Sequence, residues 1–416
     1  MNRILRKFSG LLVFSLFSLA PSGCMGPTAM RATRGQYNED IRVTSAEQML
    51  RNLVRLRYGQ SIVFLNVTSV STQFSLDHSA SISGILNENV GFEGKNPNSL
   101  GLGASASFSE RPTITYQPLT GEDFATRMLA PIGLDVAVMM TAAGWGPERV
   151  FQTITYQING LENPIGPREL TPDLKDDSGD FARMTRLLGR IRKARMISLG
   201  VKRKLVPMSG PIPARDVTTS QLLDAAREGR LLVLSDDGQT YTLVDERHVP
   251  VIDIPPDVRD HPDIKEFMEL LDLDPTLDHY ELSSTLIGLP EPSSPGQRDQ
   301  IRIATRSLLT ILVSFAEAIE APASHQAAGV VGPSSILGDT LVAREQYARN
   351  LLHIRSSPNQ PKNAVVAIRH RGYWFYIADD DPSSKATFNL LNALFSLLGG
   401  QTASAQAPVL TLPVGG

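Results

Sequence analysis

Apolar residues recur along this chain with two periods, and each change of period marks an element. Met49, Leu50, Leu53, Val54 and Leu56 fall at helical intervals until Gly59, and Thr44 with Glu47 stands ahead of them at capping-box spacing. A helix is therefore predicted from Thr44, with Arg51, Arg55 and Arg57 on its solvated face. Residues 61–70 are rich in β-branched side chains and predict one strand. From 100 to 108 the alternation is strict: Leu100, Leu102, Ala104, Ala106 and Phe108 share one face, and Gly101, Gly103, Ser105 and Ser107 the other. Phe74, Leu76, Ala80 and Ile82 echo it upstream, and a Gly- and Asn-rich tip at 87–98 lies between. Together they predict a long amphipathic β-hairpin over 74–117. After Glu110-Arg111-Pro112 breaks the pattern, 113–119 resumes as an edge-compatible strand.

Helical spacing then dominates. Thr120 and Asp123 cap a helix bearing Phe124, Met128 and Leu129 and ended by Pro131. A second helix covers 134–143, and Pro147 opens a third with Val150, Phe151 and Ile154. Residues 160–180 read as a loop and a boundary. Beyond it Phe181, Met184, Leu188 and Ile191 line a helix, and Asp236-Asp237-Gly238 turns a hairpin between 231–235 and 240–244. Leu308, Leu309, Leu312, Phe315 and Ile319 form an apolar helix ending at Pro322, followed by a loose loop over 321–338. Residues 364–379 read as two strands turned at Arg371-Gly372. Asp381 or an adjacent aspartate caps a last helix, and 407–414 is a short final strand. No internal repeat is present. Helices and strands do not alternate at a fixed period, so the fold class is α+β, antiparallel sheets covered by helices with one long amphipathic hairpin. The domains are a signal at 1–24, a tether at 25–43, an N-terminal α+β domain at 44–162, a middle region at 163–290 and a C-terminal α+β region at 291–416.

Composition narrows the function classes. With 42% hydrophobic and 20% charged residues, the chain is neither disordered nor polytopic in a membrane. A net charge of −3 gives no bulk attraction to nucleic acid. The one cysteine is Cys24, so the body beyond it holds no disulfide, thiolate metal site or cysteine nucleophile. The charge is unevenly spread. Arg183, Arg186, Arg190, Arg192, Lys193, Arg195, Lys202, Arg203 and Lys204 occupy 181–204, where no acid occurs, and ten acids occupy 251–281. Pairing between these stretches is the simple expectation, and contact of Arg183, Arg186 and Arg190 with anionic lipid is the alternative.

The first 24 residues set the address. Arg3, Arg6 and Lys7 precede the apolar run 11–20, and Pro21-Ser22-Gly23 leads into Cys24. This order resembles the signal of bacterial lipoproteins, whose processed cysteine is lipidated. Pro21 stands where that pattern prefers leucine, so plain secretion is the alternative. Four blocks, RNLVRLRYGQSIVFLNVTSV, ERPTITYQPLTGEDF, RGYWFYIADDDPSSK and APVLTLPVG, are similar to blocks shared in this order by a group of bacterial envelope lipoproteins. The resemblance implies an exported, lipid-anchored protein and carries no activity or site. Met25 is not the aspartate that retains a lipoprotein in the inner membrane of enteric-type bacteria, so the periplasmic face of the outer membrane is preferred.

The search for chemistry finds no G-x-S-x-G, S-x-x-K, H-E-x-x-H or P-loop, and LGLGASAS lacks the third glycine of a dinucleotide fingerprint. His248, His261 and His279 lie near acids without ligand spacing, and Asp379, Asp380 and Asp381 read as a helix cap rather than a calcium site. No cofactor, metal or catalytic residue is assigned. Arg369, His370, Arg371, Tyr373, Trp374 and Tyr376 place cations and aromatics on one hairpin. Of these, Arg369, Arg371, Tyr373, Trp374 and Tyr376 are the candidate partner surface. The expected function is a non-enzymatic envelope scaffold or assembly partner, anchored through Cys24 and able to form homo-oligomers. Two alternatives stand beside it. One is an oligomeric pore or export component that inserts the 74–117 hairpin, with Leu100, Leu102, Ala104, Ala106 and Phe108 toward lipid. The other is a glycan-processing hydrolase.

Overall fold

The computed structural model describes residues 25–85, 99–165, 178–285, 298–317, 319–331 and 339–400. The signal with Cys24 and the final strand at 407–414 lie outside these residues. The chain divides into two compact units, one of Met1–Gln48 with Val63–Leu119, the other of Met49–Ile62 with Thr120–Gly416.

The first unit consists of most of helix α1 (Met25–Arg57) and the strands β1 (Leu65–Ile85) and β2 (Ser99–Pro118). Where a tether is expected over 25–43, the chain is helical: Ala29, Met30, Arg31, Ala32 and Arg34 are good helix formers, and Pro27 falls in the first turn, where its missing N–H costs nothing. Thr44 is consequently inside the helix rather than at its start. Its hydroxyl donates back to the Asp40 carbonyl at 2.7 Å instead of capping. The Gln48 side chain meets the first strand residue, accepting from the Leu65 amide at 2.9 Å. β1 and β2 pair antiparallel through their whole length, from Leu65 opposite Pro118 to Ile85 opposite Ser99, with one irregularity between Val67 and Ser69. The segments read separately at 61–70 and 113–119 thus fall in two longer strands from Leu65 and up to Pro118, while 61–64 lie ahead of β1. Pro112, opposite Thr72, does not break β2: a two-stranded sheet has only edge strands, where proline is tolerated.

The second unit begins with the end of α1, where Met49, Leu50, Leu53 and Val54 are buried. Helix α2 (Gly121–Phe124) runs into a wider turn, Ala125–Leu129. Thr120 makes no side-chain cap, and Leu129 is 52% exposed while Met128 is buried, so the predicted apolar face is only partly used. Helices α3 (Leu134–Ala142) and α4 (Pro147–Ile154) follow as expected, the latter with Pro147 in its first turn. Then come β3 (Thr155–Ile158), β4 (Leu161–Glu162), α5 (Ser178–Lys193), β5 (Ser198–Pro207), β6 (Ile212–Pro213), α6 (Thr219–Arg227), β7 (Arg230–Leu234), β8 (Thr240–Asp253), α7 (Pro262–Leu270), β9 (His279–Thr285) and β10 (Gln300–Thr305).

These strands build one eight-stranded sheet in the order β4-β3-β10-β9-β8-β5, with β6 and β7 also on β8. All its ladders are antiparallel except β9 with β10, which run parallel. The sheet joins strands from both sides of the loop at 160–180 and of the Pro-rich stretch at 289–295, so neither is a domain boundary. Local composition marks a loop, whereas a boundary requires that few contacts cross it. Asp236-Asp237-Gly238 turns β7 onto β8 as predicted, with Gly238 at φ +70°.

The chain continues through α8 (Leu308–Glu317), α9 (Ala323–Ala327), which lies within the expected loop, and α10 (Asp339–Leu351). A three-stranded sheet follows, with β13 (Tyr373–Ala378) between β11 (Arg355–Ser357) and β12 (Ala364–His370). The last helix is α11 (Pro382–Gly400). Asp381 caps it, accepting from the Ser384 amide at 3.0 Å and the Ser384 hydroxyl at 2.6 Å. Phe388, Leu390, Leu391 and Leu394 are buried along one side, and Arg149 of α4 reaches the Thr387 hydroxyl at 2.5 Å and the Ser383 carbonyl at 3.0 Å. The result is a mixed α+β fold with largely antiparallel sheets interspersed with helices. No described helix is long and apolar enough to cross a membrane.

Two asparagines hold the sheet's end. Asn159, at φ 42°, donates to the Leu271 carbonyl at 2.7 Å and accepts from the Arg302 amide at 2.7 Å. Asn163 is buried, donates to the Thr155 and Gln152 carbonyls at 2.7 and 2.8 Å, and accepts from the Ile165 amide at 3.0 Å. Asn163→Ala strands these buried groups and is expected to lower stability by about 2–3 kcal/mol. A urea midpoint unchanged from that of the wild type contradicts this.

Candidate functional site

Three segments far apart in sequence meet in the second unit. α1 ends because Gly59 adopts φ +66° and lets the Gln60 amide return to the Arg55 carbonyl at 2.9 Å, which leaves Tyr58 buried just past the last helical turn. Arg371 and Gly372, at φ 47° and 89°, make a two-residue hairpin turn of the left-handed kind that matches strand twist. That turn sets His370 directly opposite Tyr373. α9 supplies His325, with the Val330 amide closing onto its carbonyl at 3.0 Å.

The rings interlock edge to face. The Tyr58 hydroxyl and His325 Nδ1 are 2.6 Å apart, and the Tyr58 ring lies 4.9 Å from His370 and 6.0 Å from Phe375. His325 and Tyr373 are 5.0 Å apart between ring centroids, and the Tyr373 hydroxyl is 3.0 Å from Ser324 Oγ. The Arg371 guanidinium stands 5.6 Å over the Tyr58 ring. His370 Nε2 is buried with no hydrogen-bond partner.

Burial and charge decide the protonation states. Burial pushes the Tyr58 phenol up, against the opposing pull of Arg371 and Arg57, so it stays protonated. Burial pushes His370 down, and Arg371, Arg55, His325 and Arg51 push the same way, so its imidazole is neutral at physiological pH. The site therefore offers aromatic faces, hydroxyls and a neutral imidazole beneath a group of guanidinium charges. This chemistry suits an acidic or aromatic segment of a partner.

The candidate partner surface read from sequence divides here. Arg371 and Tyr373 belong to the cluster. Arg369, Trp374 and Tyr376 alternate onto the other face of the sheet, with Arg369 opposite Trp374 and Tyr376 opposite Arg355. Tyr58 and His325 carry no signal in the sequence, since the pair is separated by 267 positions.

The basic segment meets the acids expected of it. Arg183 pairs with Glu266, and Arg190 with Asp263 at 2.7 Å. Lys202 pairs with Asp253 at 2.9 Å, and Lys204 with Glu281 at 2.5 Å. Arg190 holds the Asp263 carboxyl below the usual carboxylate range. Arg186 is exposed on α5; near it, burial pushes the Tyr347 phenol up against the opposing pull of hydrogen bonds with Thr185 and Gln152 and of the Arg186 charge. Leu100, Leu102, Ala104, Ala106 and Phe108 lie on β2, where they face Gly84, Ile82, Ala80, His78 and Leu76 across the ladder. Among the described residues no group of three His, Cys, Asp or Glu side chains could hold a metal ion.

The His370 environment gives stability a sign on the pH axis. Its folded value lies below 6.5, so as pH falls the unfolded chain takes up this proton first, and stability present above 6.5 is lost toward the folded value. Urea midpoints across this range are expected to fall with acidity in the wild type and to fall less in His370→Gln. Equal slopes in the two proteins contradict the assignment.

No family model, curated protein or solved structure matches the chain.

Proposed function

We propose that this protein is a lipid-anchored cell-envelope component, held through an acylated Cys24 at the periplasmic face of the outer membrane, that acts as a non-enzymatic scaffold or assembly partner. The observation that carries this reading is the hairpin. β1 and β2 contain 21 and 20 residues, and no third strand pairs with either among the described residues. An isolated two-stranded sheet is at best marginally stable, and each outer edge offers a row of backbone donors and acceptors to another chain. The pair Val70 and Ile114, 39% and 36% exposed, stands at the start of the ladder face that continues through Leu76 with Phe108 and Ile82 with Leu102. On this reading, the alternation of the sequence pattern makes the hairpin amphipathic. An aromatic and cationic cluster at Tyr58, His325, His370, Arg371 and Tyr373 gives the body a place to hold an acidic partner segment.

Hairpin length favours a second reading, an oligomeric pore or export component. A membrane β-strand needs about 9–11 residues, and both strands exceed this. One hairpin leaves open edges that lipid cannot satisfy, so several copies would close the barrel.

Expression of the full chain with an acylation label, beside Cys24→Ser, separates the readings. The scaffold reading expects an acylated wild type that sediments with membrane and a soluble variant. A variant that stays in membrane after alkaline washing moves the pore reading ahead. A wild type that is neither acylated nor membrane-bound overturns both.

A further inference from the structure

The two outer edges of the hairpin are not equivalent, and the difference follows from the ladder. The Leu119 amide donates to the Phe64 carbonyl at 2.9 Å, so the backbone groups of Leu119 face β1. Inward and outward amides alternate along an antiparallel strand, and the one irregularity of this ladder lies in β1, between Val67 and Ser69. Counting back along β2 from Leu119, Pro118 and Pro112 stand at outward positions, and each removes a donor from the outer row of β2. The charges Glu110 and Arg111 adjoin Pro112. Prolines and charges are devices that blunt a sheet edge.

The outer edge of β1 carries such features only at its base. There Leu65 lies opposite Pro118, so its backbone also faces outward, and both of its groups are bonded: the amide donates to the Gln48 carboxamide oxygen at 2.9 Å, and the carbonyl accepts from the carboxamide nitrogen at 3.4 Å. Gln48 thereby stands where the first residue of a neighbouring strand would. From Ser69 to Ile85 the pairing is regular, the sequence contains no proline, and Asp77 is its only Asp, Glu, Lys or Arg. Thr72 lies opposite Pro112, so the amides at even positions from Val70 to Gly84 point outward, and no third strand pairs with them among the described residues. A partner for this row must be an extended strand of matching length, whereas strands typically contain only about 5–6 residues. β1 is itself such a strand. Two copies of β1 set antiparallel about a two-fold axis normal to the sheet present the same unbroken row to each other, and an isologous contact of this kind closes at two copies. We infer that the outer edge of β1 pairs with β1 of a second copy of this chain, giving a four-stranded sheet of order β2-β1-β1-β2 and leaving the β2 edge on each flank for other envelope chains. This rests on the assembly reading above and names one of its partners, whereas a pore needs β1 of one copy on β2 of the next.

Ala80 and Ala104 lie opposite each other at outward positions, so proline at either spares the inner ladder, as Pro112 does, and removes one outer donor. Sedimentation of the full chain in detergent is expected to show a dimer for the wild type and for Ala104→Pro, and a monomer for Ala80→Pro. A ring of more than two copies, a dimer that survives Ala80→Pro, or a dimer lost equally in Ala104→Pro overturns the pairing. A monomeric wild type overturns it too, and if that monomer is acylated and membrane-bound the scaffold reading still stands, because the acylation assay decides it separately. Should either proline unfold the hairpin, amide exchange on the wild type decides. Outward amides of β1 that exchange slowly when concentrated and fast on dilution support the dimer, and fast exchange at both concentrations overturns it.

Discussion

Every backbone N–H and C=O removed from water needs a partner, and this requirement is met in different ways in the two units. In the body, the eight-stranded sheet spends side chains to finish its edges: Asn159 and Asn163 take up carbonyls and amides that the ladder leaves over, and helices cover the strands. In the hairpin, the ladder between β1 and β2 satisfies only the inner rows, and the outer rows of two strands of 21 and 20 residues pair with no third strand among the described residues. The assembly reading follows from that difference. A long, smooth edge with few charges is the form that natural proteins blunt or cover.

Charge follows a parallel logic. The basic run of α5 and β5 is conspicuous in the sequence, yet Arg183, Arg190, Lys202 and Lys204 meet Glu266, Asp263, Asp253 and Glu281 on neighbouring elements. These pairs are exposed and individually weak, and they serve chiefly to return a one-sided helix to an ordinary surface. Arg306 is the inconspicuous cation, a single residue at the end of a strand, and among the described residues it is buried with no ion pair and with two of its guanidinium nitrogens unpartnered. Run length in a sequence is a poor guide to where charge is energetically expensive. Depth is the better guide, and it is set by the tertiary structure.

What the sequence made legible was local. The Asp-Gly and Arg-Gly turns name their hairpins because left-handed φ values are needed there, and Asp381 names the start of α11 because a short acceptor is needed there. The segment 25–43 misleads because its Gly, Thr and Asn residues read as a tether while the Ala, Met and Arg among them favour a helix, and Thr44 misleads because its hydroxyl can bond back one turn as readily as cap. The boundaries at 162 and 290 fail because β3, β9 and β10 pair across them, and pairing between distant strands leaves no compositional trace. The cluster around Tyr58 was half legible. His370, Arg371 and Tyr373 announce themselves on one turn, whereas His325 reaches Tyr58 only through the packing of a short helix that composition had marked as a loop.

The hairpin's need for completion can be measured directly by hydrogen exchange on full-length protein in its membrane, resolved to single amides along β1 and β2. In a two-stranded ladder, inward and outward amides alternate, and only the inward ones are bonded. If other chains complete the sheet, as this account requires, outward and inward amides are protected alike. Slow exchange at alternate positions with free exchange between them would show a hairpin that stands alone, and would contradict it.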